Sequence, residues 1–287
     1  MTIFLNRNII IIAILMGLIS FLTTCSSTRF IYTFVDEFIK DEINYFFDLN
    51  EEEKVLLNQK VSKMVNWHRK SMLPKYADYL YNVADKLEDE QYSSADITKF
   101  LEDGRFLIEE TVTGMIPYAS KFIIEPRNLE DIEFMEKRML SRRQESIMEL
   151  SKSEDILYEE RLDRLKSNFE RFFGDLTDSQ VMLLQVHSRE TLNDSRVRFH
   201  NRTLRQKVFI RFLRTKPTEA ELNTYLNTLL LQGHIITNPS YKTFSEVSLK
   251  RFNLLLVNLL VISSTMQRET AINKLRIYAD DFKAISE

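Results

Sequence analysis

Four histidines and one cysteine are the side chains of this 287-residue sequence best suited to chemistry near neutral pH, and they are scattered. His68 lies in Trp67-His68-Arg69, with Pro74, Tyr76 and Asp78 soon after. An imidazole there could move a proton near pH 7, but acid–base catalysis also needs a partner carboxylate or nucleophile, and the local pattern shows no such arrangement. The same residues read structurally as a brace at a helix–helix junction around Pro74, with the ring nitrogens bonded to backbone or to Asp78. A ligand or metal site built on Trp67, His68, Arg69, Pro74 and Tyr76 is the competing reading. His187 and His200 are thirteen positions apart on one expected helix, too far for a metal pair one turn apart. His234 falls in a glycine-containing loop. No His-Glu-x-x-His, Gly-x-Ser-x-Gly or P-loop pattern occurs. The expectation is therefore no catalytic residue, no metal and no cofactor.

Charge is distributed more tellingly. From 36 to 53 there are eight acids against Lys40, a net of -7; from 187 to 216 there are nine basic residues against Glu190 and Asp194, a net of +7. Arg198, Arg202 and Arg205 follow i, i+4, i+7 and share one helical face. One reading pairs the basic helix with acidic helices of the same fold, where single surface ion pairs contribute about 0–1 kcal/mol. The other is an exposed stripe for anionic lipid heads, lipopolysaccharide phosphates or an acidic polymer. The formal net charge of -3 and the lack of a recognised reader module argue against nucleic acid.

The single cysteine excludes an internal disulfide and any all-cysteine metal site. Its position suggests another chemistry. Ile9 to Leu22 is almost wholly apolar, the length of a signal-peptide core and short for a spanning helix. Leu22-Thr23-Thr24-Cys25-Ser26-Ser27 follows and resembles the lipobox of bacterial lipoproteins, departing from it at Thr24. In that pattern the Cys25 thiol takes a diacylglyceryl group, and several acyl chains on one residue are what durable anchoring requires. Residues 1–24 then form a lipoprotein signal peptide, and 263 residues of formal charge -4 remain, with no free thiol in an oxidising compartment. By resemblance to the sorting rule of enteric-type bacteria, Ser26 points to the outer membrane. An uncleaved anchor and inner-membrane retention are the alternatives.

The rest of the chain reads as helix. Ile31, Phe34, Val35, Phe38 and Ile39 recur at helical spacing within 28–48, as do Leu57, Val61, Met64, Val65 and His68 further on. Pro74 kinks the second helix or starts a new one. A helix opens at Ser93 and runs to about 112, interrupted by Gly114 and Pro117. Further helices are expected over 127–149, over 154–173 ending at Gly174, as one long stretch from 177 to about 214, after Pro217, over 241–262, and from 265 to the end. Phe252–Ile262 is too short and too interrupted to span a bilayer, and an exposed aromatic groove near 30–47 would point to a binding role. Three restarts, Asn50 to Glu53, Thr177 to Gln180 and Ser264 to Gln267, place a capping residue three before Glu or Gln. They read as ordinary caps, with internal duplication as the alternative. No long β alternation occurs.

Trp67-His68-Arg69 followed by Leu73-Pro74-Lys75-Tyr76-Ala77, the Cys-Ser-Ser start, Tyr32, the charged helix running into Leu176-Thr177-x-x-Gln180 and a degenerate copy at 263–267 together resemble the bacterial lipoprotein family filed as domain of unknown function 6279. The similarity covers most of the chain after Cys25, although Leu49 to Glu53 replaces a Leu-Thr-x-x-Gln-like restart. The resemblance implies an envelope location and a helical fold, and it supplies no activity. The Leu-Thr-x-x-Gln element also resembles one in small periplasmic chaperones and stress sensors.

The expected fold class is all-α, an elongated multi-helix bundle or array with short loops. Residues 25–287 form one periplasmic domain, within which 127–172 either projects as a charged hairpin or folds back. The expected protein is lipid-anchored, with a structural or interaction role in the cell envelope. Alternatives are a periplasmic chaperone or stress-sensing module and an envelope-polymer enzyme using His68. The expected partners are the membrane through the lipid anchor, and envelope proteins or anionic lipid or polysaccharide.

Overall fold

The computed structural model describes residues 27–89, 92–124 and 129–287. The signal segment 1–24, the Cys25 lipidation site and the Glu125-Pro126 break lie outside the described residues. Those described form twelve α-helices and no strand. In chain order they are α1 (Ser27–Tyr32), α2 (Val35–Phe46), α3 (Glu51–Trp67), α4 (Leu73–Glu88), α5 (Ser94–Ile123), α6 (Leu129–Leu150), α7 (Glu154–Phe173), α8 (Asp178–Glu190), α9 (Asp194–Leu213), α10 (Glu219–Leu231), α11 (Ser240–Val261) and α12 (Thr265–Ser286). A π-helical turn, His68–Met72, joins α3 to α4, and a 3₁₀ turn, Gly233–Ile235, follows α10.

The array is elongated because its apolar residues settle into three cores. The first gathers Val83, Ala84 and Leu87 of α4 with Phe169 and Phe173 of α7, Leu184 of α8, Leu255 and Leu259 of α11 and Ile272 of α12. The second joins Ile132 and Met135 of α6, Ile210 and Leu213 of α9, and Leu222, Leu226 and Leu229 of α10. The third packs Leu57, Val61 and Val65 of α3 beneath half-buried Ile39 and Ile43 of α2. Helix α5 threads all three, burying Ile97 in the first, Ile116 in the second and Phe122 in the third. At 1.5 Å per residue its 30 residues reach about 45 Å, the long dimension that separate cores require.

The continuity of α5 differs from the sequence expectation of a stop near 112. Pro117 sits inside the helix and forfeits one backbone hydrogen bond, yet Ile116 and Phe122, on either side of it, are buried. Gly114 is a packing requirement rather than a stop: a Cβ there would overlap the Trp67 ring. The expected long helix 177–214 is instead broken at 191–193, between α8 and α9. Thr191 is buried at this break; its hydroxyl donates to the His187 carbonyl (2.6 Å) and accepts from Arg161 Nε (2.8 Å). The segment 28–48 also breaks, at Thr33 and Phe34.

The charged segment 127–172 yields α6 and α7, and the apolar sides of both are seated in cores: Ile132 and Met135 in the second, Leu162, Phe169 and Phe173 in the first. The acidic N-terminal region pairs with α6, and its Glu42 and Phe46 share a cleft with the basic helix α9. Arg142 reaches Glu42 (3.1 Å), Arg138 donates to the Tyr45 carbonyl (3.0 Å), and both guanidiniums lie over the Tyr45 ring. Helix α9 reaches α6 in turn through Arg214 and Glu136 (2.6 Å).

Candidate functional site

The Trp67–Tyr76 segment lies where α1, α3, α4, α5 and α12 converge. Pro74 has no N–H to offer the Lys70 carbonyl, and the chain takes a π turn just before it; the Leu73 N–H bonds the His68 carbonyl, five residues back. From this turn His68 Nδ1 meets the Tyr32 hydroxyl of α1 at 2.9 Å, with the two rings stacked at 16°. The Tyr76 ring approaches His68 edge-on (5.7 Å), rests on Phe282 of α12, and hydrogen-bonds Thr111 of α5 through its hydroxyl. Arg69 places its guanidinium 5.7 Å from the Tyr32 ring centre. Trp67 turns the other way, onto Gly114 and Tyr118 of α5. Two further ties reach α12: Arg29 Nε donates to buried Asp281 (2.8 Å), and Lys70 donates to the Ser286 and Glu287 carbonyls (2.9 and 3.0 Å).

Burial sets the charge states here. It lowers the His68 pKa below its ordinary value. It raises the phenol of Tyr76, and it raises that of Tyr32 against the opposing pull of Arg69. Near pH 7 the junction therefore consists of a neutral imidazole between two protonated phenols. In the tautomer that leaves Nδ1 bare, the Tyr32 O–H donates to it. The partner of His68 is thus Tyr32, from 36 residues upstream, and not the Asp78 or backbone group that local sequence suggests. This arrangement holds a helix in place. It offers no carboxylate hydrogen-bonded to the imidazole, and no cluster of three metal-ligating side chains occurs among the described residues.

The three arginines that share a face of α9 send their head groups to three different helices. Arg198 donates to Ser248 of α11 (2.6 Å) and pairs with Asp194 (3.4 Å), Arg202 donates to Ser146 of α6 (2.9 Å), and Arg205 donates to the Leu230 carbonyl of α10 (3.3 Å). Arg198 and Arg202 stay exposed, while Arg205 is half-buried against Gly233, where a Cβ would run into its guanidinium. Arg198 and Arg202 also line a cleft of about 720 Å³ with Arg142, Arg143, Glu145 and Glu149. On the other side of Arg198 a smaller cavity of about 350 Å³ opens beside Arg161, His187 and Phe252. Burial, reinforced by Arg161, lowers the His187 pKa, and burial lowers that of Arg161.

Comparison with known proteins bears on the same residues. Residues 45–242 match the family described as "Family of unknown function (DUF6279)". The chain belongs to this family. The matched span contains Trp67-His68-Arg69, Leu73 to Ala77 and Thr177 to Gln180; Cys25, Tyr32 and the 263–267 element lie outside it. No curated protein and no solved structure matches the chain.

In this DUF6279 member the Thr177–Gln180 and Ser264–Gln267 elements do more than cap. Each forms a complete capping box: the Thr177 and Ser264 backbone N–H groups donate to Gln180 Oε1 (3.0 Å) and Gln267 Oε1 (3.1 Å). The two boxes then interlock. Gln180 Nε2 donates to Gln267 Oε1 (3.0 Å) and Gln267 Nε2 donates to Gln180 Oε1 (2.9 Å), with further bonds to Ser263 Oγ (3.3 Å) and the Asp175 carbonyl (2.8 Å). Gln180 is fully buried and Gln267 nearly so. Sequence reasoning noticed both elements and missed their contact. The signal was the residue type: the exposed boxes begun by Asn50, Ser93 and Thr218 end in Glu53, Asp96 and Glu221, whereas these two end in a neutral amide that can accept and donate at once.

Proposed function

We propose that this family member is a lipid-anchored protein of the bacterial cell envelope, held to the outer membrane and facing the periplasm, with a structural or interaction role and no catalytic one. The observation that carries the reading is the place of Cys25. It follows the apolar run Ile9–Leu22 after Thr23 and Thr24, two residues before α1 begins, in a chain where no described helix is long and apolar enough to cross a membrane. Ser26 after the cysteine supports the outer-membrane choice. The junction supports a mechanical role, since Tyr32 and Arg29 tie the helix nearest the anchor to His68 and Asp281 of the body. The engagement of His68 Nδ1 by a phenol favours this role over an enzyme.

Intact-mass measurement on membrane-extracted protein tests the anchor. The expected species begins at Cys25 and carries acyl mass, while Cys25→Ser keeps residues 1–24 and carries none. A wild-type protein that retains residues 1–24 and bears no acyl mass would sink the proposal.

The arginines of the cleft between α6 and α9 support a second reading, contact with anionic lipid or polysaccharide. Arg142, Arg143, Arg198 and Arg202 line it opposite Glu42, Glu145 and Glu149, with Phe46, Leu150 and Phe199 as its apolar part. Retention of the Arg198→Ala/Arg202→Ala protein on lipopolysaccharide-coated beads reads it out; retention equal to wild type would count against it.

A further inference from the structure

Helix α1 and the first turn of α2 have two unlike sides. The inner side is pinned by Arg29 on Asp281 and by Tyr32 on His68. The outer side carries Phe30, Ile31, Phe34 and Phe38, which are 62%, 67%, 53% and 69% exposed. Phe30 and Phe34 pack edge-on against each other at 5.2 Å, and the Phe38 N–H bonds the Phe34 carbonyl (3.0 Å), so the stripe runs on across the break between the helices. Single exposed apolar residues need no explanation, but four within nine positions, three of them phenylalanine, form a continuous patch of a kind that marks an interaction surface.

The chain itself indicates what meets this patch. Phe30 is five residues beyond Cys25, and five residues span at most about 18 Å even fully extended. With Cys25 acylated, Phe30 cannot stand further than that from the bilayer surface, and eight helical residues carry Phe38 only about 12 Å beyond it. Its charged neighbours narrow the lipid class. Glu37 and Asp41 are exposed on the same stretch, and the neighbouring Lys40 is already paired with Glu37 (2.8 Å). Attraction to anionic headgroups is therefore not the driving force, and burial of aromatic rings in an uncharged interface is.

We propose that Phe30, Ile31, Phe34 and Phe38 form a membrane-seating edge that inserts into the headgroup region of a zwitterionic bilayer. Because Arg29 and Tyr32 lock the opposite side to the body, seating this edge sets the angle at which the whole helical array stands on the membrane. The inference deepens the anchored reading above and rests on it.

The test uses the full-length protein with its anchor intact, reconstituted in phosphatidylcholine vesicles, with a benzophenone-bearing phenylalanine analogue at position 34 or 38. Met266, at the start of α12 and 74% exposed, is the control position. On illumination, positions 34 and 38 are expected to yield lipid adducts by mass and Met266 none, with no gain in yield when phosphatidylglycerol is added. The Phe30→Ser/Phe34→Ser/Phe38→Ser protein changes only exposed side chains. It is expected to stay membrane-bound while the amides of 27–46 exchange about tenfold faster on vesicles. Adducts to a second copy or to another protein at 34 and 38, or lipid adducts no more frequent than at Met266, would overturn the proposal. The mass of Cys25 in the same sample separates the failures. Acylated Cys25 without lipid adducts removes the seating edge alone, whereas an unmodified Cys25 with residues 1–24 attached removes the anchor and the edge with it.

Discussion

Where α8 and α12 begin, two glutamines exchange amide hydrogen bonds shut off from water; where α1 meets the π turn before α4, a phenol and an imidazole share one bond between half-buried rings. Both ties join segments far apart in sequence. They differ in what can undo them. The glutamine pair is neutral at every pH, and each amide answers the other's donor with its own acceptor. The Tyr32–His68 tie depends on an imidazole that burial keeps uncharged, and it holds a helix of six residues. The lesson is that the seam between α8 and α12 is fastened at any pH, while α1 is fastened conditionally.

The contrast breaks most visibly at Gln267. Gln267→Glu leaves a carboxylate that cannot donate to Gln180 Oε1 or to the Asp175 carbonyl, in a nearly water-free site. A loss of about 3–5 kcal/mol is expected, on the scale of an uncompensated buried charge. Urea unfolding measures it, and a change within error would show that the interlock is dispensable. At the junction, Tyr32→Phe removes one hydrogen bond worth about 1 kcal/mol. Its expected signature is faster amide exchange in residues 27–46, with the rest of the chain unmoved.

The junction should also answer to pH. In the folded chain burial holds His68 below its ordinary value of 6.5, so between the two values the unfolded chain binds more protons. Stability therefore falls as pH drops below about 6.5, and the slope shrinks in His68→Asn. His187 contributes a loss of the same sign, so the slope is not abolished. An unchanged slope in His68→Asn would place the imidazole in a solvated setting. The smallest effect sharpens the comparison from the other side: Glu221→Gln, in a fully exposed capping box, should leave the unfolding midpoint unmoved.

Much of the helical architecture was legible because its punctuation is local. Ser153 and Gly174 bracket α7, and Thr218 opens α10, where capping chemistry predicts. The misreadings came from contacts that local pattern does not contain. Gly114 looks like a helix stop until Trp67 is laid on it from α3. The break between α8 and α9 has no glycine or proline, and its Thr191 is held by Arg161 from another helix. At the candidate site, Trp67, His68, Arg69, Pro74 and Tyr76 could be singled out from spacing and resemblance, and Tyr32 was noted apart from them. Their meeting through a π turn could not be read, because it depends on where α1 docks. The arginines of α9 do share a face, but head groups on long side chains diverge towards whichever neighbour offers an acceptor.

The bond between Arg29 and Asp281 spans 252 positions and joins the first described helix to the last. A newly made polypeptide leaves the ribosome in order, so Arg29 emerges long before its mate exists. This clasp can close only once the final helix has been made, whereas the Tyr32–His68 tie can form before it. A chain cut short before α12 would thus keep the Tyr32–His68 bond and lose the Arg29–Asp281 one, which makes an intact final helix the condition for the full clasp on α1.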